Sequence, residues 1–218
     1  MTCCGPATLF GRRVWIVELN ASELRRATDF ADWLATQKRG VVADDHHEGR
    51  AAAIQVDTGW QWNELGAQGE IVVAKVLGVE APLTRNKRRA FTEPDIPPWW
   101  SVKTQLATSR DMLDAYMRLR EGSFRPGWRH VLVERDAGIW GGFVFIVHGW
   151  VTDARARAVA VRRYSYSTNQ FVHARHLAPL TRELYDTVHG APTDEPPPPA
   201  PFDRDDDAGE QLTMGVDR

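Results

Sequence analysis

Cysteine is scarce in this chain of 218 residues, which holds only the adjacent pair Cys3 and Cys4. A disulfide between neighbouring residues is strained and closes no loop, so a disulfide-stapled scaffold is excluded. Long apolar runs are also lacking, because no stretch approaches the roughly 20 apolar residues that a membrane span needs. A signal peptide has an apolar core behind a basic flank, and the segment Met1–Arg13 does not show this pattern. We therefore expect a soluble protein of a reducing, cytoplasmic compartment, without a membrane partner.

What is present suits a globular domain. Apolar residues make up 43% and charged residues 26% of the chain, and the formal net charge is −2. These values predict one domain of ordinary core size with appendages.

The charge is divided unevenly along the chain. Residues 190–218 carry eight acids and two arginines, a net charge of −6, which leaves +4 on the remainder. This tail also holds four consecutive prolines and few apolar residues, so it is predicted to be disordered. We expect three parts: an N-terminal strand and helix extension over 1–60, a core with a closing helix over 61–189, and the acidic tail over 190–218.

The N-terminal half has clear local signals. The β-rich run Arg13–Leu19 predicts a strand. Asn20 followed by Glu23 has the spacing of a capping box and predicts an amphipathic helix over 21–38. An apolar stripe through 63–77 predicts a second helix, which Gly78 ends.

The segment from Pro94 to Leu106 carries the chemically informative residues. A strand over 99–106 sends Ser101, Lys103 and Gln105 to one face and apolar residues to the other. Asp95 precedes this strand across the Pro97-Pro98 turn, so its carboxylate is expected to approach the Lys103 ammonium. Glu70, on the helix just before, is placed to add a second carboxylate.

The ordered set resembles the PD-(D/E)XK nuclease superfamily. The residues that carry the resemblance are Gly69-Glu70 on a helix, Pro94-Asp95, and Ser101-Val102-Lys103 on a strand. The likeness covers about 66–151 and is nearest to small bacteriophage proteins with a Gly-x-x-Gly-Glu helix and a later Gly-Trp-Val hairpin, here Gly149 to Val151. Those phage proteins are mostly described as nucleases without an established role, so the analogy gives limited functional weight.

The resemblance implies an α/β (α+β) fold with a restriction-endonuclease-like mixed sheet flanked by helices, in the core order α-β-β-β-α-β with an extra antiparallel strand. Periodic apolar residues over 111–120 predict the second core helix, and 130–134 predicts the following strand. A further strand over 143–151 is expected to pair antiparallel with it.

The resemblance also implies chemistry. The expected activity is Mg²⁺-dependent hydrolysis of DNA, with Mn²⁺ as an alternative to Mg²⁺. Asp95 would be the principal metal ligand, the Val102 carbonyl a backbone ligand, and Glu70 a second or water-mediated ligand. Lys103 would orient the attacking water or stabilise developing negative charge.

One position departs from the family pattern. The acidic residue expected two places before the lysine is Ser101, whose hydroxyl is a much weaker Mg²⁺ ligand than a carboxylate. Either Glu93 or Glu64 compensates, or the metal site is impaired. The alternative function is therefore an inactive nuclease-like scaffold that binds DNA or a host or phage protein.

A basic run lies between the helix and the strand of the motif: Arg85, Lys87, Arg88 and Arg89. Such a run suits contacts to nucleic-acid phosphates, and it equally suits a solvated loop. Nucleic acid, most simply DNA, is the expected partner.

Overall fold

The computed structural model describes residues 4–9, 11–42, 51–83, 93–107, 115–120, 124–136, 143–161 and 169–181. Three predicted features lie outside these residues: the basic run 85–89, most of the closing helix and the acidic tail.

Two antiparallel strands, β1 (Cys4–Leu9) and β2 (Arg12–Glu18), begin the chain. The helix α1 (Ala21–Val42) follows, and its start confirms the predicted capping box. The Asn20 side chain accepts a hydrogen bond from the Glu23 N–H at 2.9 Å, and the Glu23 carboxylate accepts one from the Asn20 N–H at 2.7 Å. Both bonds satisfy N–H groups that the first helical turn leaves without partners.

The second helix, α2 (Ala51–Leu77), starts twelve residues before the predicted position but ends where the sequence indicated. Gly78 has a φ of +74°, which glycine adopts without steric cost. The Val79 N–H reaches the Ala74 carbonyl at 2.9 Å, and the Gly78 N–H reaches the Lys75 carbonyl at 3.3 Å. This is the Schellman arrangement of a helix end.

The remaining elements, in chain order, are β3 (Trp100–Leu106), β4 (Tyr116–Arg120), β5 (Arg129–Arg135), β6 (Val144–Thr152), α3 (Asp153–Val159) and β7 (Asn169–His173), followed by a 3₁₀ turn over Ala174–His176. The main sheet has the order β1-β2-β6-β5-β3. Strands β3 and β5 are parallel, whereas β5 pairs antiparallel with β6, as predicted, and β6 with β2. The protein therefore has a mixed α/β fold, which confirms the coarse prediction.

The helix predicted over 111–120 is wrong in its described part. Residues 116–120 form β4, which pairs antiparallel with β7 in a separate two-stranded sheet. Met117 and Leu119 are fully buried and Arg118 is exposed, so the burial alternates with the period of a strand. The spacing of these apolar residues also fits one face of a helix, but pairing with β7, which is distant in sequence, makes the segment a strand.

Two apolar layers cover the main sheet. The helices α1 and α2 pack on one face against residues such as Trp100, Val131 and Val147. On the other face, Leu132 and Val151 pack with β4, β7 and α3. None of the helices in the described ranges is long and apolar enough to cross a bilayer.

Candidate functional site

The candidate site lies at β3, the edge strand at one end of the main sheet. The chain reverses through Pro97 and Pro98, so that Ile96 forms an antiparallel bridge with Trp100. This hairpin brings Asp95 alongside β3, where its Oδ2 accepts a hydrogen bond from the Val102 N–H at 2.7 Å. The predicted approach of Asp95 to the strand that bears Lys103 is thus present.

The backbone of β3 alternates between two directions. The Trp99 carbonyl accepts from the Arg129 N–H at 2.8 Å, and the Ala107 N–H donates to the Arg135 carbonyl at 2.9 Å. In a parallel pair, every second residue bonds to the neighbouring strand. Odd-numbered residues of β3 therefore bond toward β5, and the carbonyl of Val102 faces the outer edge, where Asp95 lies.

Gly69 allows α2 to approach this strand closely. A Cβ at Gly69 would lie 1.7 Å from Thr104 Oγ1 and 2.9 Å from Thr104 Cβ, both too close for real contacts. The absence of a side chain brings the next residue, Glu70, toward β3. Packing against Thr104 therefore explains why a glycine precedes Glu70, without any chemical role for Gly69.

We expect Gly69→Ala to destabilise the protein by about 1–3 kcal/mol, because the added methyl group overpacks the contact between α2 and Thr104. The matched control is Gly66→Ala on the same helix, where a Cβ would meet nothing within 4 Å. That control should stabilise by roughly 0.5–1 kcal/mol, since alanine favours a helix over glycine. Urea unfolding of both variants measures the effects, and equal effects would contradict this account of the helix approach.

Glu70, Asp95 and Lys103 interact electrostatically. Burial, and next the negative charge of Asp95, raise the pKa of Glu70 well above its usual value, while the Lys103 ammonium opposes the shift. Strongly perturbed pKa values of this kind cluster at functional sites. Glu70 therefore lies within electrostatic range of both Asp95 and Lys103.

Ser101, which stands where the family pattern has an acid, is buried in the sheet. It is 1% exposed, and its Oγ has no hydrogen-bond partner in the described part of the chain. Glu64 points elsewhere, because its Oε1 accepts from Thr28 Oγ1 on α1 at 2.8 Å. Glu93 is half-buried two residues before Asp95.

Sequence reasoning missed two members of this neighbourhood, His130 and Asp153. His130 is the Cα partner of Ser101 in the parallel pair, and it is fully buried. Its Nε2 lies 3.3 Å from Asp153 Oδ1, while its Nδ1 has no partner among the described residues. Ser101 Oγ and His130 Nδ1, which both lack partners in the part of the chain that the structure describes, thus belong to residues that are paired across β3 and β5.

The charge states of His130 and Asp153 follow from their contacts. Burial and the Lys103 charge lower the pKa of His130, although Asp153 opposes the shift. For Asp153, burial acts to raise the pKa, but hydrogen bonds from His130, Arg157 and the Arg125 N–H outweigh it and lower the pKa. We therefore assign a neutral imidazole beside an ionised carboxylate at neutral pH.

A second buried polar group continues along the same sheet face. Glu134 accepts from Gln105 Nε2 at 2.8 Å, and its other oxygen lies 2.8 Å from His148 Nε2. Glu134 and His148 are 5% and 2% exposed. Each of these oxygens has a partner, so this group stabilises the sheet rather than offering free ligands.

A pocket of about 460 Å³ lies away from the candidate site, between α1 and residues 82–83. Arg26, in its lining, forms an ion pair with Glu80 at 3.1 Å and donates to the Ala81 carbonyl. None of the sequence-predicted site residues lines it.

No protein-family model, curated protein or solved structure matches this chain.

Proposed function

We propose that the protein is a Mg²⁺-dependent phosphodiesterase that acts on DNA, with a site of PD-(D/E)XK type. The observations that carry the proposal are the hydrogen bond that holds Asp95 at the outer edge of β3 and the electrostatic interaction of Glu70 with Asp95 and Lys103. Parallel β3 and β5, with antiparallel β6 beside them, suit a restriction-endonuclease-like core. The strand β4 stands where that core order has its second helix.

The donor atoms suit a hard cation. Mg²⁺ is commonly held by one or two carboxylates together with water and substrate phosphate. Here Asp95 and Glu70 would supply carboxylate oxygens, and the edge-facing carbonyl of Val102 would supply a third oxygen. The raised pKa of Glu70 fits this assignment, because a cation would offset both the cost of burying the Glu70 charge and the repulsion of that charge from Asp95.

Across the described ranges, no group of three or more His, Cys, Asp or Glu side chains is arranged to hold a metal ion. The proposed site accordingly uses two acidic side chains, with Ser101 in place of a third. The cation, when bound, would stabilise charge on the phosphoryl group and lower the pKa of an attacking water.

The chain's own residues supply the remaining parts. Lys103 provides a positive charge that acts on the Glu70 carboxylate, and this charge is suited to orienting water or stabilising negative charge as it develops. The hydrogen bond from the Val102 N–H holds the Asp95 carboxylate at the strand edge. The buried contact between His130 and Asp153 stabilises the face of the sheet on which Lys103 also lies.

A second candidate function is a nuclease-like scaffold that binds DNA or a protein without cleaving DNA. Ser101 favours it, because a buried hydroxyl replaces the acid that active members of the superfamily are expected to have. The two candidates differ in one property, cleavage that requires a divalent cation.

The test is incubation of the purified full chain with linear and circular, single-stranded and double-stranded DNA, in Mg²⁺, Mn²⁺ or EDTA. The enzyme proposal expects cleavage with either cation and none in EDTA. Folded protein that cleaves no substrate, yet binds DNA in EDTA, would favour the scaffold.

A further inference from the structure

The small sheet of β4 and β7 has one face that is turned away from the apolar core. Residues that are opposite each other in an antiparallel pair place their side chains on the same face. The register pairs Met117 with Val172, and both are fully buried in the apolar cluster below the small sheet. The other face carries the alternate residues, which form two further pairs: Tyr116 with His173 and Arg118 with Phe171.

This other face, which we call the aromatic face, is accessible to solvent. Arg118 is exposed, and Tyr116, Phe171 and His173 are half-buried, so their rings keep accessible surface. The ring of Tyr116 meets that of His173 edge to face, with centroids 4.6 Å apart. The exposed Val161 forms a β-bridge with Phe171 and therefore extends the same face.

The charge around the aromatic face is positive. Neither strand of the small sheet contains an Asp or Glu, and nor does the turn over Ala174–His176 that follows β7. Arg118 lies on the face itself. Burial, and next the charges of Arg175 and Arg155, lower the pKa of His176, so both arginines lie near that ring. Between described residues, no carboxylate forms an ion pair with any of these three arginines.

Rings and arginines on an exposed sheet suit a single nucleic-acid strand. Bases stack on aromatic side chains irrespective of sequence, and a positive surface follows the phosphates. Sheets that bind single-stranded RNA use exposed rings in this way. The bases of a paired duplex are stacked on one another and do not offer their faces to such rings. The aromatic face therefore favours unpaired bases.

The small sheet and Lys103 lie on the same side of the main sheet. Leu132 of β5 is the Cα partner of Lys103, and paired residues of neighbouring strands share a face. Leu132 packs with Met117 and Leu119 of β4 in one apolar cluster. A strand bound to the aromatic face is thus held on the side of the main sheet that carries Lys103.

We propose that the aromatic face binds single-stranded DNA, with bases stacked on Tyr116 and Phe171 and a phosphate group on Arg118. The inference rests on the proposed function and adds the substrate class, a strand with unpaired bases, and the surface that holds this strand. Arg155 and Arg175 supply further positive charge beside the face.

The first test measures binding of a fluorescent octathymidylate in EDTA by anisotropy. Phe171→Leu should weaken binding by about tenfold, the scale of one stacked base, and Tyr116→Leu should do the same. Phe171→Trp should retain binding, because tryptophan keeps a ring for stacking. The matched control is Phe143→Leu, the same change at an exposed phenylalanine just before β6. Equal binding by the wild type and these two leucine variants of the aromatic face, or equal weakening by Phe143→Leu, would overturn the inference.

The second test measures how the same binding depends on salt. Each phosphate contact to a single strand contributes about 0.7 to the slope of log K against log salt concentration. Arg118→Gln should therefore reduce the magnitude of the slope by the amount of one contact. Arg25→Gln, which removes an exposed arginine from α1, should leave the slope unchanged. An equal loss in both variants would contradict a phosphate contact at Arg118, because only net charge would then matter.

These outcomes are separable from the failure of the nuclease proposal. Binding that depends on Phe171 and Arg118, without divalent-dependent cleavage, would support the aromatic face and the scaffold function together. Divalent-dependent cleavage with unchanged binding in the Phe171 and Arg118 variants would overturn only the aromatic face. Equally tight binding of a duplex of the same length would contradict stacking on unpaired bases.

Discussion

Replacing Asp95 with Asn is expected to reduce divalent-dependent DNA cleavage by about 10²-fold or more, the scale of losing one major electrostatic contribution to catalysis. The variant removes the negative charge of the proposed principal ligand. The amide carbonyl of the replacement side chain can still accept the hydrogen bond that the Val102 N–H gives to Asp95 at 2.7 Å. The hairpin should therefore survive while the cation loses its main oxygen ligand.

The control for this experiment is Asp29→Asn, which neutralises an exposed carboxylate on α1. Cleavage rates with linear DNA in Mg²⁺ measure the effect, together with Lys103→Met, which should lose activity on a similar scale. Full activity in a folded Asp95→Asn protein would remove Asp95 from the site.

Replacing Glu70 with Gln is expected to stabilise the metal-free protein at neutral pH, by roughly 1 kcal/mol, while reducing cleavage. Burial and the Asp95 charge raise the pKa of Glu70, so the folded chain retains this proton at pH values where the unfolded chain has released it. The wild type therefore loses stability as the pH rises from the ordinary glutamate pKa through the raised pKa. Glutamine does not titrate and escapes this loss.

The measurement is urea unfolding in EDTA from pH 4 to 8. The stability difference between Glu70→Gln and the wild type should be small at the acid end and grow as the pH rises. Glu64→Gln is the matched control on α2, because Glu64 accepts a hydrogen bond from Thr28 on α1 instead of facing β3. A difference that does not change with pH would contradict the burial of a titrating Glu70 beside Asp95.

Local signals in the sequence predicted those parts of the fold that depend on neighbouring residues. The capping box at Asn20 and the glycine stop at Gly78 are decided within a few residues, and both are present. The strand over 100–106 also lies where the sequence predicted one, although its burial does not alternate: Ser101 is buried and Leu106 is exposed. The prediction for residues 116–120 is wrong because their apolar residues fit two periods, and pairing with β7, some fifty residues away, decides between them.

The same distinction applies to the candidate site. Asp95 and Lys103 lie within one hairpin, so the approach of Asp95 to the strand that bears Lys103 could be predicted from spacing and turn residues. His130 and Asp153 join the neighbourhood only through the register of β3 with β5 and the position of the helix that follows β6. Arg129 likewise reaches Trp150 on β6, a contact that no local pattern contains.

The most direct test of the central claim is a measurement of Mn²⁺ binding, in which the electron paramagnetic resonance signal reports the concentration of the free ion. The account predicts a saturable Mn²⁺ site in the wild type and in Glu64→Gln, weakened strongly in Asp95→Asn and in Glu70→Gln. Mg²⁺ should compete for that site. Mn²⁺ binding of equal strength in the wild type and in Asp95→Asn would contradict a metal site at the edge of β3.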